Sequence, residues 1–203
     1  MADLALPSRP ATLDIGQSQP GAGVTVRELR GLGLATMQTR KGRHALLRDR
    51  IRQLFLLELP TTPSIVRAGE IAFVAIGPNY WLAMSDGAGP LFGMSLKQIV
   101  EPLASVSDQS GGYVVFRVGG HAVRNTLAKG FQIDLHPRAF EIGAAATTIV
   151  AHIGATIWRC EDDGDGSPCF EIALYRSLAK SFSRWFSSSA AEFGCEWQTQ
   201  AAQ

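Results

Sequence analysis

Apolar and polar positions along this chain alternate with two different periods. Period-two alternation and short apolar runs mark strands at residues 24–29 and 34–38, around a Gly31/Gly33 turn. The same signal recurs at 71–76 and 80–84 around Gly77-Pro78-Asn79, and at 105–109 and 113–118 around Gly111-Gly112. Two more strands, 148–160 and 169–175, flank an acidic turn over 161–166. Helical spacing appears between these pairs. Leu47, Ile51, Leu54 and Phe55 fall on one face of a helix over 43–57, ended by Pro60 and Pro63. Ser95 suits the N-cap of a helix running toward Leu103, with Pro102 closing it. A short helix over 121–129 stops at Gly130. In a last helix over 177–191, Leu178, Phe182, Trp185 and Phe186 form the apolar stripe and serines lie opposite.

Each half of the chain therefore runs strand, strand, helix, strand, strand, helix. The repeat lies in element order, not in residue identity. Tight strand connections require antiparallel hairpins. The predicted class is α+β: antiparallel sheets with packed helices, in two pseudo-repeated halves, rather than a doubly wound parallel fold. The halves are short, so 24–195 is expected to be a single domain. Residues 1–23 hold Pro7, Pro10, Pro20, Gly16, Gly21 and Gly23 with few large apolar groups, which predicts an extended N-terminal arm. Residues 196–203 are expected to form a tail.

Composition narrows the function classes. With 203 residues, the chain is long enough to fold without a metal or disulfide staple. Charged residues are only 18%, below the usual quarter, which leaves room for a covering partner. Nineteen basic against eighteen acidic residues give a net charge of +1, which disfavours electrostatic capture of nucleic acid. The longest wholly apolar run, 71–76, is far short of a membrane span. The N-terminus lacks a basic start followed by an apolar core, so no signal peptide is expected. Cys160, Cys169 and Cys195 are an odd number without a CxxC, which fits a reduced cytoplasmic protein.

Several motifs invite chemistry and fail on spacing. Gly87-Ala88-Gly89-Pro90-Leu91-Phe92-Gly93, with Asp108 downstream, imitates a dinucleotide fingerprint, but it is GxGxxxG with an internal proline. A surface loop explains it. Glu161, Asp163, Asp165 and Gly166 imitate a calcium loop, yet the twelfth position is Ile172 instead of a bidentate Glu. Asp134 and His136 supply two metal-type ligands where three or four are needed, and Pro137 fixes an extended turn beside them. His44, His121 and His152 are scattered. Cys160 and Cys169 flank the acidic hairpin as cross-strand neighbours. A disulfide there is conceivable, whereas a cytoplasmic location favours two thiols. No nucleophile elbow or Ser/His/Asp arrangement is present. Catalysis by this chain alone is not supported.

Arg40, Lys41, Arg43, Arg48, Arg50 and Arg52 concentrate near the first helix, offset locally by Asp49. The plain explanation is the solvated face of an amphipathic helix. The functional one is a docking face for an acidic partner, with Arg40, Lys41, Arg43, Arg48 and Arg52 as interface candidates.

A set of segments, taken together, carries a family resemblance. They are Val26-Arg27-Glu28-Leu29 with Gly31; Asp108-Gln109-Ser110; Gly119-Gly120 opening a helix to Gly130; Asp134-Leu135-His136-Pro137-Arg138-Ala139-Phe140; Thr147; Ala151-His152-Ile153; and Tyr175-Arg176-Ser177 leading to Ser181-Phe182 and Trp185. Over about residues 24–195 the chain resembles the gamma subunits of bacterial heterotetrameric sarcosine oxidase. The Asp-x-Ser strand and Gly-Gly helix start also resemble the wider folate-binding aminomethyltransferase (glycine cleavage T-protein) superfamily.

The resemblance implies an aminomethyltransferase-like fold and a cytoplasmic complex with alpha, beta and delta subunits. It implies oxidation of the N-methyl group of sarcosine to give glycine and hydrogen peroxide, with 5,10-methylenetetrahydrofolate formed when tetrahydrofolate is present. FAD, FMN, NAD and zinc would sit on the other subunits, and none on this chain. The matched positions are then structural. Asp108 and Ser110 bond backbone at a strand end, and Gly119 and Gly120 permit close approach. Asp134, His136 and Pro137 lock a turn followed by Phe140, and Arg176 precedes a helix anchored by Phe182 and Trp185. Two other readings stand beside this one. They are a stand-alone folate-binding one-carbon protein, and the equivalent subunit of an N-methylglutamate dehydrogenase.

Overall fold

A computed structural model describes Ala11 and residues 21–198. Most of the expected arm, and the last five residues of the expected tail, lie outside the described residues. Eleven strands and four α-helices follow one another in the order β1 (Val24–Leu29), β2 (Gly33–Thr39), α1 (His44–Phe55), β3 (Ile65–Ala68), β4 (Ile71–Gly77), β5 (Tyr80–Ser85), α2 (Phe92–Val100), β6 (Ala104–Asp108), β7 (Tyr113–Gly119), α3 (Val123–Ala128), β8 (Ala145–Val150), β9 (Ile153–Arg159), β10 (Cys169–Tyr175), α4 (Ala179–Ala190) and β11 (Cys195–Gln198).

The strands form two sheets. One has the order β11-β1-β7-β10-β9-β8 and the other β3-β4-β5-β2-β6. Every pairing is antiparallel except β1 with β11, which is parallel. The alternation of each strand explains the layering. In β7, Val114, Phe116 and Val118 face a core shared with Phe182, Phe186 and Leu127, from α4 and α3. Val115 on the opposite face packs with Ala173 and Trp158 against Leu34, Val74, Leu82 and Met84 of the second sheet. The second sheet turns Met37, Phe73, Trp81 and Ala83 toward Leu47 and Ile51 of α1 and Leu96 of α2. The architecture is α/β/β/α, with three apolar layers between four layers of structure. Both faces of each sheet are buried, which is why the strands read as near-continuous apolar runs.

Several expectations need correction. The strand expected over 148–160 is a hairpin, β8 and β9, turning at Ala151 (φ 46°) and His152 (φ 69°). Two left-handed residues in a two-residue loop make the hairpin turn that Asn-Gly normally signals, and Ala-His carries no such signal. The edge strand β3 was not anticipated, because its four residues follow two prolines and leave little room for alternation. Ser95 is not an N-cap. It is exposed inside α2, whose buried stripe begins at Phe92 and continues through Leu96 to Val100. Leu54 does not share the buried face of α1 with Leu47 and Ile51; it is 53% exposed. That helix ends at Phe55, before either proline, with Leu56 in the left-handed conformation at φ 55°. Strand β11 carries ordered pairing to Gln198, three residues into the segment expected to be a tail.

Candidate functional site

A cavity of about 690 Å³ opens at one end of the interface between the sheets. Its lining follows from one rung of the first sheet. Arg27 on β1 lies opposite Arg117 on β7, Arg117 lies opposite Glu171 on β10, and Glu171 lies opposite Trp158 on β9. Pairing places all four on the face turned to the second sheet, in register with the apolar layer just described. From the second sheet, Ile65 and Arg67 on β3 and Met84 on β5 close the opposite wall.

Glu171 is the hub. It is only 3% exposed. Its Oε1 accepts from Arg117 Nη1 at 3.4 Å, and its Oε2 accepts from the Trp158 indole N–H at 2.8 Å. Arg67 Nη2 of the second sheet reaches the same Oε2 at 3.6 Å, so one carboxylate ties the sheets together across the cleft. Arg67 also donates to Asp86 and Arg117 to Asp163, each at 3.3 Å. Taking a carboxylate out of water is costly unless such partners compensate it. Arg159 lines the cavity as well, but its guanidinium turns to the carbonyls of Cys160 and Cys169 and to Asp162. Interaction between the Cys160 and Cys169 thiols holds Cys169 below the ordinary thiol value, with Arg117 adding in the same sense, and together with burial it pushes Cys160 up.

Three of the four carboxylates of the acidic hairpin are already engaged: Asp162 by Arg159, Asp163 by Arg117 and Asp165 by Ser167. Among the described residues, no group of three or more His, Cys, Asp and Glu side chains is placed to hold a metal ion. The Gly87–Gly93 segment is a turn into α2, where Gly93 lies against Asp108 on β6: a Cβ there would stand 2.8 Å from the Asp108 Cβ.

The other residues singled out in the sequence are spread over the molecule and do not meet in the cleft. Ser110 donates to Asp108 Oδ1 at 2.8 Å and accepts from the Leu34 amide at 3.0 Å, which joins the end of β6 to β2. Gly119 lies beside Asp163, and Gly120 (φ 105°) lies under the Gly23 carbonyl. Asp134 accepts from the His136 amide at 2.8 Å, and His136 Nδ1 accepts from the Arg138 amide at 3.2 Å, forming the exposed turn around Pro137. Phe140 is buried and stacks on Phe170. Arg176 Nη1 lies 3.9 Å from Glu28, and the Glu28 carboxylate also accepts from the Ala11 amide at 3.0 Å. Phe182 stacks on Phe116, and Trp185 covers Gly130. Arg40, Lys41, Arg43, Arg48 and Arg52 are all exposed, and Arg48 and Arg52 both pair with Glu58, an acid the local charge count had overlooked.

The cleft residues Arg67, Arg117 and Glu171 escaped sequence reasoning. Their signal was available: an Arg inside Val114-Val115-Phe116-Arg117-Val118 and a Glu inside Phe170-Glu171-Ile172 are opposite charges in two otherwise apolar strands.

The profile of the sarcosine oxidase, gamma subunit family matches residues 44–192, most of the chain. The chain belongs to the sarcosine oxidase gamma subunit family. Sarcosine oxidase subunit gamma from Corynebacterium sp. (strain P-1) is 28% identical over 141 residues, 68% of this chain and 66% of that one. Its counterpart from an Arthrobacter sp. is 31% identical over 100 residues, covering 46% and 49%. The chain thus spans about half to two thirds of the length of the curated relatives it matches. The fold is similar to a chain of heterotetrameric sarcosine oxidase from Corynebacterium sp. U-96 in complex with pyrrole 2-carboxylate, with a TM-score of 0.71 at 24% identity over 87% of this chain and 88% of that one. It is also similar to glycine cleavage system aminomethyltransferase T from Bartonella henselae, with a TM-score of 0.60 at 13% identity over 87% of this chain and 48% of that one. This chain thus shares its α+β fold with about half of that aminomethyltransferase chain.

Proposed function

We propose that this chain is the non-catalytic gamma subunit of a cytoplasmic, heterotetrameric, flavin-dependent sarcosine oxidase. Its partners are the alpha, beta and delta subunits. The complex demethylates sarcosine to glycine with release of hydrogen peroxide, and passes the carbon to tetrahydrofolate as 5,10-methylenetetrahydrofolate when that acceptor is present. FAD, FMN, NAD and zinc are held by the other subunits. The observation that carries this reading is the family match over 44–192. The whole-fold likeness to a chain of a heterotetrameric sarcosine oxidase supports it. Among the described residues no helix is long and apolar enough to cross a membrane.

The sheet orders support two pseudo-repeated halves. With β11 set aside, β1-β7-β10-β9-β8 and β6-β2-β5-β4-β3 run through matching positions of each half, and the first strand of each half is exchanged into the other sheet. The repeating unit carries one strand more than the sequence pattern suggested. Within it, Asp108 with Ser110, the Gly119-Gly120 pair, the Asp134–Phe140 turn and the Phe182/Trp185 anchor hold the elements together and carry no chemistry. The basic outer surface of α1 is the contact face for a larger subunit. Leu46, Leu54 and Leu56 are half or more exposed there, beside Arg43 and Arg48.

The test is co-expression of the tagged chain with its genomic neighbours, followed by size exclusion and a visible spectrum. A yellow complex far larger than 21.8 kDa that oxidises sarcosine is the expected result. Full activity of the other three subunits without this chain would refute the subunit reading, and oxidation of N-methylglutamate instead would reassign the substrate. A colourless monomer that binds tetrahydrofolate unaided would favour the independent folate-binding protein.

A further inference from the structure

We propose that the inter-sheet cleft binds a small organic anion, a carboxylate or phosphate on an apolar body, with the Arg27 guanidinium as its anchor. The argument starts from charge along one rung. Arg27 and Arg117 lie directly opposite each other in the β1–β7 ladder, and like charges in that position destabilise a sheet. Arg117 has compensation, because Glu171 and Asp163 both take its nitrogens. Nothing compensates Arg27. The Glu171 oxygens are already committed to Arg117, Arg67 and Trp158, and Asp86 pairs with Arg67. Among the described residues Arg27 has no ion-pair partner, and its Nε is buried without a hydrogen bond. A guanidinium cannot shed its proton to escape this. An unsatisfied cation retained against a like-charged neighbour is a cost that a bound anion removes.

The surroundings select the ligand. A cavity of about 690 Å³ falls within the range of small-molecule sites. Leu29, Ile65, Met84 and Ile142 give its lining an apolar part, interleaved with arginines from both sheets. The arginine fork matches the two oxygens of a carboxylate or phosphate, and such charge-assisted bonds are the strong ones. An apolar body bearing one oxyanion satisfies both parts of the lining, and a neutral body of the same shape leaves the Arg27 rung as it was. This inference rests on the cleft alone and stands or falls apart from the subunit reading.

The experiment titrates the full chain with 2-naphthoate, 1-naphthyl phosphate and neutral 2-naphthamide, by calorimetry and by thermal shift. At least one of the two anions should bind and raise the melting temperature, with the amide roughly tenfold weaker or worse. Whichever anion wins tells carboxylate from phosphate. Arg27→Gln should melt no lower than the parent, because the like-charge opposition is gone, and should bind the anion about tenfold more weakly. If Arg27→Gln does not fold, Ile142→Trp, which fills the mouth of the cleft from a half-exposed position, should abolish binding instead. Failure of both anions to bind, equal binding of the amide, or undiminished binding by the variant used would overturn the proposal.

Discussion

Gly120 shows how narrow the margin is at a single residue. Its φ is 105°, and a Cβ built there would stand 2.4 Å from the Gly23 carbonyl oxygen, a backbone atom that cannot swing aside. That same carbonyl accepts the Ala122 amide at 3.1 Å, so the start of β1 is fastened to the turn before α3. Gly120→Ala is expected to cost more than about 2 kcal/mol in urea unfolding, from strain and overpacking together. Gly164→Ala, in the acidic hairpin with nothing within 4 Å, should change stability by less than about 0.5 kcal/mol. The Gly-Gly pair was visible in the sequence as a motif. Its actual reason, a crossing of two backbones nearly a hundred residues apart, was not, because no local pattern encodes a distant carbonyl. Cys195 gives a second residue-scale outcome. Burial pushes its thiol up to about 11, from an ordinary 9.0, while its bond with Trp197 works the other way. The unfolded chain therefore ionises first, and stability should fall as pH rises from about 9 to about 11. Cys160 and Tyr113, both raised, act in the same sense. Cys195→Ala should reduce the alkaline loss of melting temperature without abolishing it. An unchanged slope would place the effect elsewhere.

At the scale of elements, local periodicity located most strands and all four helices, and failed where a turn used unorthodox residues. The β8–β9 hairpin holds Ala151 and His152 in left-handed backbone, which residues bearing a Cβ adopt reluctantly. Replacing them by Ala151→Asn with His152→Gly should stabilise the protein by about 1 kcal/mol, read as a higher denaturation midpoint at unchanged slope. A lower midpoint would mean that these side chains make contacts worth more than the turn strain. The ladder across β1, β7, β10 and β9 behaves differently, because its energy is electrostatic. Glu171→Gln removes the charge that two arginines share across the sheets. It should cost about 3 kcal/mol, the order found when one partner of a buried pair is lost. The carboxyl–indole bond survives in this variant as an amide–indole bond, so Trp158 should keep its emission maximum in the folded state. The site was half legible for the same reason: each strand shows its charged residue, but only the pairing register shows which charges meet and which one, Arg27, is left over.

The whole molecule adds what no element contains. The apolar layer between the two sheets takes Leu34, Val74, Leu82 and Met84 from one and Val115, Trp158 and Ala173 from the other, so it exists only when both sheets form together. The outer face of α1 belongs to none of the apolar layers. Leu46 and Leu54 sit two turns apart on that face, with Arg50 between them donating to the Ile99 carbonyl of α2 at 3.0 Å. Exposed leucines framed by arginines cost the monomer little and suit a partner that covers them. Leu46→Glu combined with Leu54→Glu should therefore leave the unfolding free energy of the chain within about 0.5 kcal/mol of the parent. The same pair should lower the yield of complex in the co-expression experiment, because two buried carboxylates would have to be desolvated at the contact. A lower melting temperature of the isolated chain would show that the leucines serve its own fold. A full yield of active complex would move the interface off α1, leaving the family assignment untouched and pointing to another exposed apolar position, such as Ile149 on β8 at the sheet edge, as the next place to substitute.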